Sequence, residues 1–518
     1  MMQAQTDGAR PVETGTRRVH ELLGRQAQLR GQAPALIDAD GRTLDHEVCE
    51  AAAGELARLF AERGVVAGDR VLIVAENSAA TALAIFAASS LDAIAVPVNA
   101  RMTGAELARI TDHAGPRAIL YTTHVSAEAA GHAEAAGAEP VVTATGRLAL
   151  AKGPGGAPEP VAQGPEQTAV ILYTTGTTGD PKGVMLTHAN LLFAGATSAA
   201  LRGMGPEDRV YGALPLTHVF GLASMLMAAV SCGACVQLET RFAPDRLLAA
   251  LKRGITVLPM VPQMHALLMK HVAGQGLDRL EGARLRYVSS GAAPLDPAWK
   301  RKAEAFYGLP LQNGYGMTES TAGVSGTRNP IGVPDVSVGP ALPGIEIRID
   351  APDAEGVGEI RTRGPHVMKG YFRNPEATAQ VIDAEGWLAT GDLGRIDAEG
   401  RLHVVGRCKE LIIRSGFNVY PPEVEAALND HPAVVQAAVV GRSRDGNEEV
   451  LAFVQCTDPV PEPATLKAHV SERLSSYKRP SKILIVDRLP AAATGKILKH
   501  KLLGVFADRL AALDAEEK

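Results

Sequence analysis

The stretch Ile171-Leu-Tyr-Thr-Thr-Gly-Thr-Thr-Gly-Asp-Pro-Lys-Gly183 decides how this chain is read. Four threonine hydroxyls, three glycines and one lysine follow a short apolar run. Gly176, Gly179 and Gly183 allow backbone turns and a close approach to a ligand. Consecutive N–H groups in such a turn form an anion nest. Thr174, Thr175, Thr177 and Thr178 add hydroxyl donors, and Lys182 adds a point charge suited to phosphate. The spacing is not that of a Walker A loop, because no Gly-Lys-Ser/Thr follows the first glycine after four residues. A flexible linker is also rich in Gly and Thr. Here, however, strand-like Ala169–Tyr173 leads in and Val184–Leu186 leads out, so a polyphosphate loop is the better reading.

Working outward, the first third alternates strand and helix signals. Arg70–Ala75, Ala93–Val98 and Ala118–Tyr121 are short apolar strands, and Ser78 is placed to cap the alanine-rich helix between the first two. This rhythm predicts a parallel sheet with helices on its faces. Residues 145–168 carry no clear periodicity and read as a surface connection. After the loop, Val210–Leu214, Gly254–Pro259 and Leu285–Ser290 continue the α/β pattern, in which ligands sit at the carboxyl ends of strands. From about Gly358 short alternating strands predict an antiparallel, barrel-like subdomain. A boundary near Gly406–Lys409 precedes about 110 residues of small α+β domain. The expected fold is thus α/β, with a large N-terminal domain over 1–406, a hinge at 407–410 and a small mobile domain over 411–518.

Composition narrows the function. The chain has 518 residues, 46% of them apolar, and a net charge of -5, with no basic stripe. Large cores are expected and nucleic acid is not an expected partner. The 5 cysteines are too few for a disulfide scaffold; Cys232 and Cys235 read as buried small side chains. No apolar signal core opens the chain. Uncharged Val219–Leu238 reads as a buried helix running into a buried strand, so the expected protein is cytoplasmic with no transmembrane segment.

Further constellations carry chemistry. In Gln312–Ser320, Asn313 and Gly314 precede Tyr315, a flat surface for a purine or a wall for an acyl group. Thr318 is a phosphate donor, and Glu319 suits Mg²⁺, which takes oxygen ligands and keeps waters. Asp392 follows a glycine turn and is able to accept two hydroxyls. Arg407 lies within reach of ribose or phosphate, and Ser415-Gly416 offers a narrow passage past the backbone. Lys496 follows Gly495 near the end of the chain. His218, in the least charged region, is either a core histidine or part of an acyl pocket.

Together these motifs resemble the adenylate-forming acyl-CoA synthetase superfamily, from about Leu36 to Leu502, nearest its aryl/hydroxycinnamate and fatty-acid branches. The resemblance implies a two-step reaction. ATP and a carboxylic acid give acyl-adenylate and pyrophosphate; free coenzyme A then takes the acyl group. It implies that Lys182 and the threonine loop handle pyrophosphate and that Thr318 contacts the α-phosphate. Glu319 would hold Mg²⁺, and Asp392 with Arg407 the ribose. Gly291, Ala292, Ala293 and Tyr315 would line the adenine site. Lys496 would be the adenylation lysine, Lys409 the hinge, and His218 the gate between acyl and CoA regions. Three departures stand out: Thr175 for the usual Ser, Gln263 for the commoner Thr, and Ala491-Ala492 where an Arg is frequent. Ala223, Met225, Met227, Gly291, Ala292, Gly314 and Ala322 suggest an apolar acyl pocket with mostly small walls. An aromatic, hydroxycinnamate-like or medium-chain acid fits it, in fatty-acid or phenylpropanoid metabolism. A medium/long-chain fatty-acid CoA ligase specifically, or a stand-alone adenylation enzyme loading a carrier protein's phosphopantetheine, is the alternative; a non-enzymatic acyl-AMP-binding protein is a more distant one. Monomer and homodimer are both compatible.

Overall fold

The computed structural model describes residues 15–175, 181–292, 295–414, 417–444, 447–491 and 497–516. A large N-terminal α/β domain is followed by a small C-terminal α+β domain. Two eight-stranded sheets form the centre of the large domain. In the first, Arg70–Ala75 lies between Ile94–Asn99 and Ala118–Tyr121, parallel to both. These strands are buried almost throughout, as apolar runs in doubly covered parallel sheets should be. Thr168–Thr175 joins Ile94–Asn99 in parallel, and then returns antiparallel as Pro181–Thr187.

The margins of this sheet correct the sequence reading. Gly146–Lys152 is a strand, antiparallel to Ala118–Tyr121 and paired with Glu139–Thr143. It falls inside the segment expected to be a surface connection. Leu148 and Leu150 are buried, but only two large apolar residues mark its inward face, too few to stand out among glycine and alanine. The sheet is therefore parallel at its centre and antiparallel at both edges.

In the second sheet, Tyr287–Ser290 lies between Val257–Met260 and Leu311–Tyr315, in parallel. Each of these strands delivers its carboxyl end to the region of the candidate site. The helix Ala79–Ser90 lies in a core cluster that draws on both sheets, and its residues are buried up to Ser89. Ser78 caps it, its hydroxyl accepting the Thr81 N–H at 3.2 Å. Alanine at six of its positions lets the packing elements approach closely.

Val219–Leu238 is buried helix and strand as expected, but its middle, Leu222–Met227, is a π-helical turn. Single π turns inside α-helices often mark functional sites. Cys232 and Cys235 are free, and burial pushes the Cys235 thiol up to about 11. Among the described residues no helix is long and apolar enough to cross a membrane.

A four-stranded antiparallel sheet follows, in the order Glu346–Asp350, Gly358–Arg363, Leu388–Ile396, Leu402–Arg407. The last strand runs into a 3-10 turn, Cys408–Glu410. Beyond it lie the hairpin Ile412–Arg414/Phe417–Val419 and a three-stranded sheet, Val434–Arg444, Asn447–Cys456 and Lys482–Ile485. The helix Pro421–Asn429 begins with proline at its first turn, where no N–H is needed.

Candidate active site

Strand pairing brings the two described flanks of the threonine-rich stretch together: Thr174 pairs with Lys182 and Thr175 with Pro181. Gly183 has no room for a side chain: a Cβ there would lie 2.8 Å from Ile171 Cγ2. Lys182 holds its Nζ 4.8 Å above the Tyr371 ring, a cation–π contact that aims the ammonium. The strand Gly370–Tyr371 is bonded to the hairpin, Tyr371 opposite Val184.

Tyr371 also donates its hydroxyl to Glu319 Oε1 at 2.9 Å. Burial, and then the Glu319 charge, push this phenol up, so it remains a donor at neutral pH. Thr318 and Glu319 are both buried, in the 3-10 turn Thr318–Ser320. The turn is tied down: Met368 N–H donates to Glu319 O at 2.9 Å and Thr321 Oγ1 to His366 O at 2.8 Å. Its backbone is strained, with φ of 47° at Thr321 and 79° at Ala322. Gly316 is required beside it, since a Cβ there would lie 1.2 Å from the Ala322 carbonyl oxygen.

The other end of the same segment reaches the ribose candidate. Tyr315 donates its hydroxyl to Asp392 Oδ2 at 2.6 Å, and Arg407 Nε stands 3.0 Å from Oδ1. Asp392 is 5% exposed. Its own N–H donates to Thr390 Oγ1 at 3.1 Å. Burial, and next the Asp392 charge, hold the Tyr315 phenol well above its ordinary value. Asn313 supports the segment, its Nδ2 donating to Ser337 O at 3.1 Å.

Tyr315–Glu319 therefore spans two clusters. One is Asp392 with Arg407; the other is Glu319 with Tyr371 and Lys182. Among the described residues no three His, Cys, Asp or Glu side chains gather to cage a metal. A single carboxylate suits Mg²⁺ that arrives on a phosphate ligand and keeps its waters.

His218 is half-buried and caps the short helix Val219–Gly221, its Nδ1 accepting the Phe220 N–H at 3.3 Å. Opposite it, Gly291 leaves room for the Phe220 ring, 3.1 Å from where a Cβ would stand. Ala292 is exposed with φ of 66°. Beside His218 a cleft of about 320 Å³ is lined by Thr217, Val261, Gln263 and Met264. Glu76 lies in its wall, paired with Arg241 at 2.9 Å and Arg101 at 3.2 Å.

Lys409 is exposed in the Cys408–Glu410 turn. The next residue, Glu410, meets Lys499 at 3.1 Å, and Lys499 meets buried Glu425 at 2.7 Å. Gly176, Thr177, Thr178, Gly179, Ala293, Ser415, Gly416 and Lys496 lie outside the described residues, as does the side chain of Thr175. Sequence reasoning passed over Tyr371, which links Glu319 to Lys182. Its only local signal is an aromatic beside Gly370, and its partners lie on distant segments.

Residues 23–372 match the family described as AMP-binding enzyme, and 423–496 its C-terminal domain. The chain is 34% identical over 517 residues to 4-coumarate–CoA ligase 5 of Oryza sativa subsp. japonica, covering 94% of each. It is 33% identical over 493 residues to sulfoacetate–CoA ligase of Cupriavidus necator, covering 91% of this chain and 94% of that one. Among solved structures it resembles O-succinylbenzoate coenzyme A synthetase from Bacillus subtilis in complex with ATP and magnesium ion. There the TM-score is 0.79 at 31% identity, covering 93% and 98% of the two chains.

Proposed function

We propose a reaction for this chain on the premise that it belongs to the AMP-binding enzyme family, whose two matches reach from residue 23 to residue 496. The chain is an AMP-forming acid–thiol ligase, and ATP-dependent activation of an acid to an acyl-adenylate is its first step. The acid we propose is aromatic, hydroxycinnamate-like or medium-chain, and the thiol is free coenzyme A. Support comes from relatives named for CoA ligation of 4-coumarate and sulfoacetate, and from the apolar character of Ala223, Met225 and Met227, all buried.

The observation that carries the site assignment is the double attachment of Tyr315–Glu319. One segment delivers a phenol to Asp392 and a carboxylate to the Tyr371–Lys182 pair. A nucleotide laid along it meets hydroxyl acceptors at one end and cationic charge at the other. Asp392 would accept the ribose hydroxyls while Arg407 keeps its carboxylate oriented. Thr318 would donate to the α-phosphate. Glu319 would hold Mg²⁺ bound with ATP, which supplies charge neutralisation of the phosphates. Lys182 would stabilise the departing pyrophosphate.

The reacting carboxylate and the α-phosphate repel each other, so positioning and charge account for most of the chemistry. Lys496 would offset both anions during adenylation. The thiol step needs no such lysine, because the adenylate is already activated. One site does not place Lys496 and a thiol against the same carbonyl at once. A joint at 407–410 between a body over 1–406 and a small domain over 411–518 would alternate them. His218 would separate the acyl pocket from the cleft beside it, whose arginines suit the phosphates of coenzyme A.

The test is a pyrophosphate-release screen over a panel of carboxylic acids, with and without coenzyme A. Acid-dependent release, with acyl-CoA formed only when coenzyme A is present, is the expected outcome. Release unaffected by coenzyme A, with no thioester, would move the acceptor to a carrier protein. No release with any acid would overturn the reaction.

A further inference from the structure

Two arginines of the large domain are enclosed, and they are satisfied differently. Arg70 is fully buried, and each of its guanidinium nitrogens reaches a carbonyl. Nε donates to Ala114 O at 2.8 Å, Nη1 to Gly68 O and Ala157 O at 3.1 and 2.9 Å, and Nη2 to Gly115 O at 3.0 Å. Four of its five N–H groups are thus engaged, as in a structural clamp.

Arg202 follows the helix His188–Leu201 and is 6% exposed. Its Nη1 donates to the Ser224 carbonyl and its Nη2 to Ser224 Oγ at 2.6 Å. The Tyr287 phenol lies close to it. Its Nε is buried with no partner, and the described residues place no Asp or Glu against it. A buried guanidinium with an unmet donor and no counter-charge is costly to maintain. An anionic oxygen supplied from outside the chain would meet both needs, and the guanidinium fork suits it.

Its position says which anion. Ser224 lies in the π-helical turn Leu222–Met227, beside Ala223 and Met225. Tyr287 begins the strand Tyr287–Ser290, which leads to Gly291. These are the two walls on which the proposed acyl pocket stands. At about 3.3 Å per residue, Tyr287 is set roughly 13 Å back along its strand from Gly291.

We propose that Arg202, with the Ser224 hydroxyl and the Tyr287 phenol, is a specificity-determining receptor for an anionic oxygen group at the end of the acid remote from its reacting carboxyl. This deepens the acyl-pocket reading above and rests on it. An acid ending in a methyl group leaves the Nε–H unmet; one ending in a carboxylate or sulfonate satisfies it.

The experiment compares cinnamic acids carrying a para-methyl, para-hydroxy or para-carboxy group, with the full-length wild-type, Arg202→Met, Arg202→Lys and Ser224→Ala proteins. Pyrophosphate release gives kcat and KM. Thermal shift by each acid without nucleotide gives binding independently of chemistry. The wild type should favour the carboxy over the methyl acid at least tenfold in kcat/KM, mostly through KM, with the hydroxy acid between. Arg202→Met should erase this preference while keeping the methyl acid within about threefold. Arg202→Lys and Ser224→Ala should keep part of it, which covers the case in which Arg202→Met does not fold. Loss of activity on all three acids alike, or a wild type blind to the para group, would overturn the proposal. If no acid releases pyrophosphate, the reaction reading fails. The thermal shifts then decide on Arg202: stabilisation by the carboxy acid alone supports the receptor, and equal shifts overturn it.

Discussion

The nucleotide side of the site and the joint below it are held by contacts of different kinds. On the nucleotide side, Asp392, Glu319 and Thr390 are buried and Tyr315 partly so, and their bonds to neighbours do not depend on the small domain. At the joint, Glu410 and Lys499 meet in an ion pair whose side chains are 34% and 20% exposed. Water competes for such a pair, which contributes little on its own. The buried contacts suit groups that must not move. The partly exposed pair suits the joint proposed at 407–410, which would have to open and close.

That contrast is tested most severely at Lys496, which would belong to the moving side yet act on the fixed one. Lys496→Ala should slow adenylation by about two to four powers of ten, corresponding to roughly 3–5 kcal/mol for a strong transition-state donor. Thiolysis of supplied acyl-adenylate should persist. Pyrophosphate release and single-turnover consumption of the adenylate measure the two steps separately. Equal collapse of both would remove the assignment.

Acid should sharpen the contrast from the other direction. Burial lowers His188 to about 3 and His265 and His366 to about 4, all in the large domain. In the unfolded chain these imidazoles protonate near pH 6.5 while the folded ones stay neutral. The unfolded state then binds more protons, so stability falls as pH drops from about 6.5 toward about 4 and levels off below. The ceiling is about 2 kcal/mol per imidazole at pH 5. Melting followed from pH 7.5 to 5 should show this loss; His265→Gln should reduce the pH dependence.

The smallest expected effect lies at the joint itself. Lys409→Pro should lower steady-state turnover about tenfold, about 1.4 kcal/mol, while a first burst of adenylate still forms. Rapid-quench measurement of adenylate against product resolves this, and unchanged turnover would argue against a joint there.

The central strands were legible because burial on both faces leaves an uninterrupted apolar run, as in Arg70–Ala75 and Ala118–Tyr121. The edge strand Gly146–Lys152 was not, because only Leu148 and Leu150 mark its inner face. Tyr315, Asp392 and Arg407 were named from local motifs and family resemblance, and the structure brings them together. The π-helical turn left no trace in the residue pattern, since Leu222–Met227 reads as ordinary buried helix. Tyr371 and Arg202 escaped for one reason: what distinguishes them is the partner each has or lacks, and those partners come from distant parts of the chain.

The alanine-packed helix Ala79–Ser90 has a practical side. Alanine has no rotamers with which to absorb a push, so the two sheets around this helix should move as one stiff block. Anchoring the protein to a bead or electrode through the large domain should then leave the proposed domain cycle undamped. A paired dye reporter should straddle Glu410, because two dyes on the block would keep a constant separation from one turnover to the next.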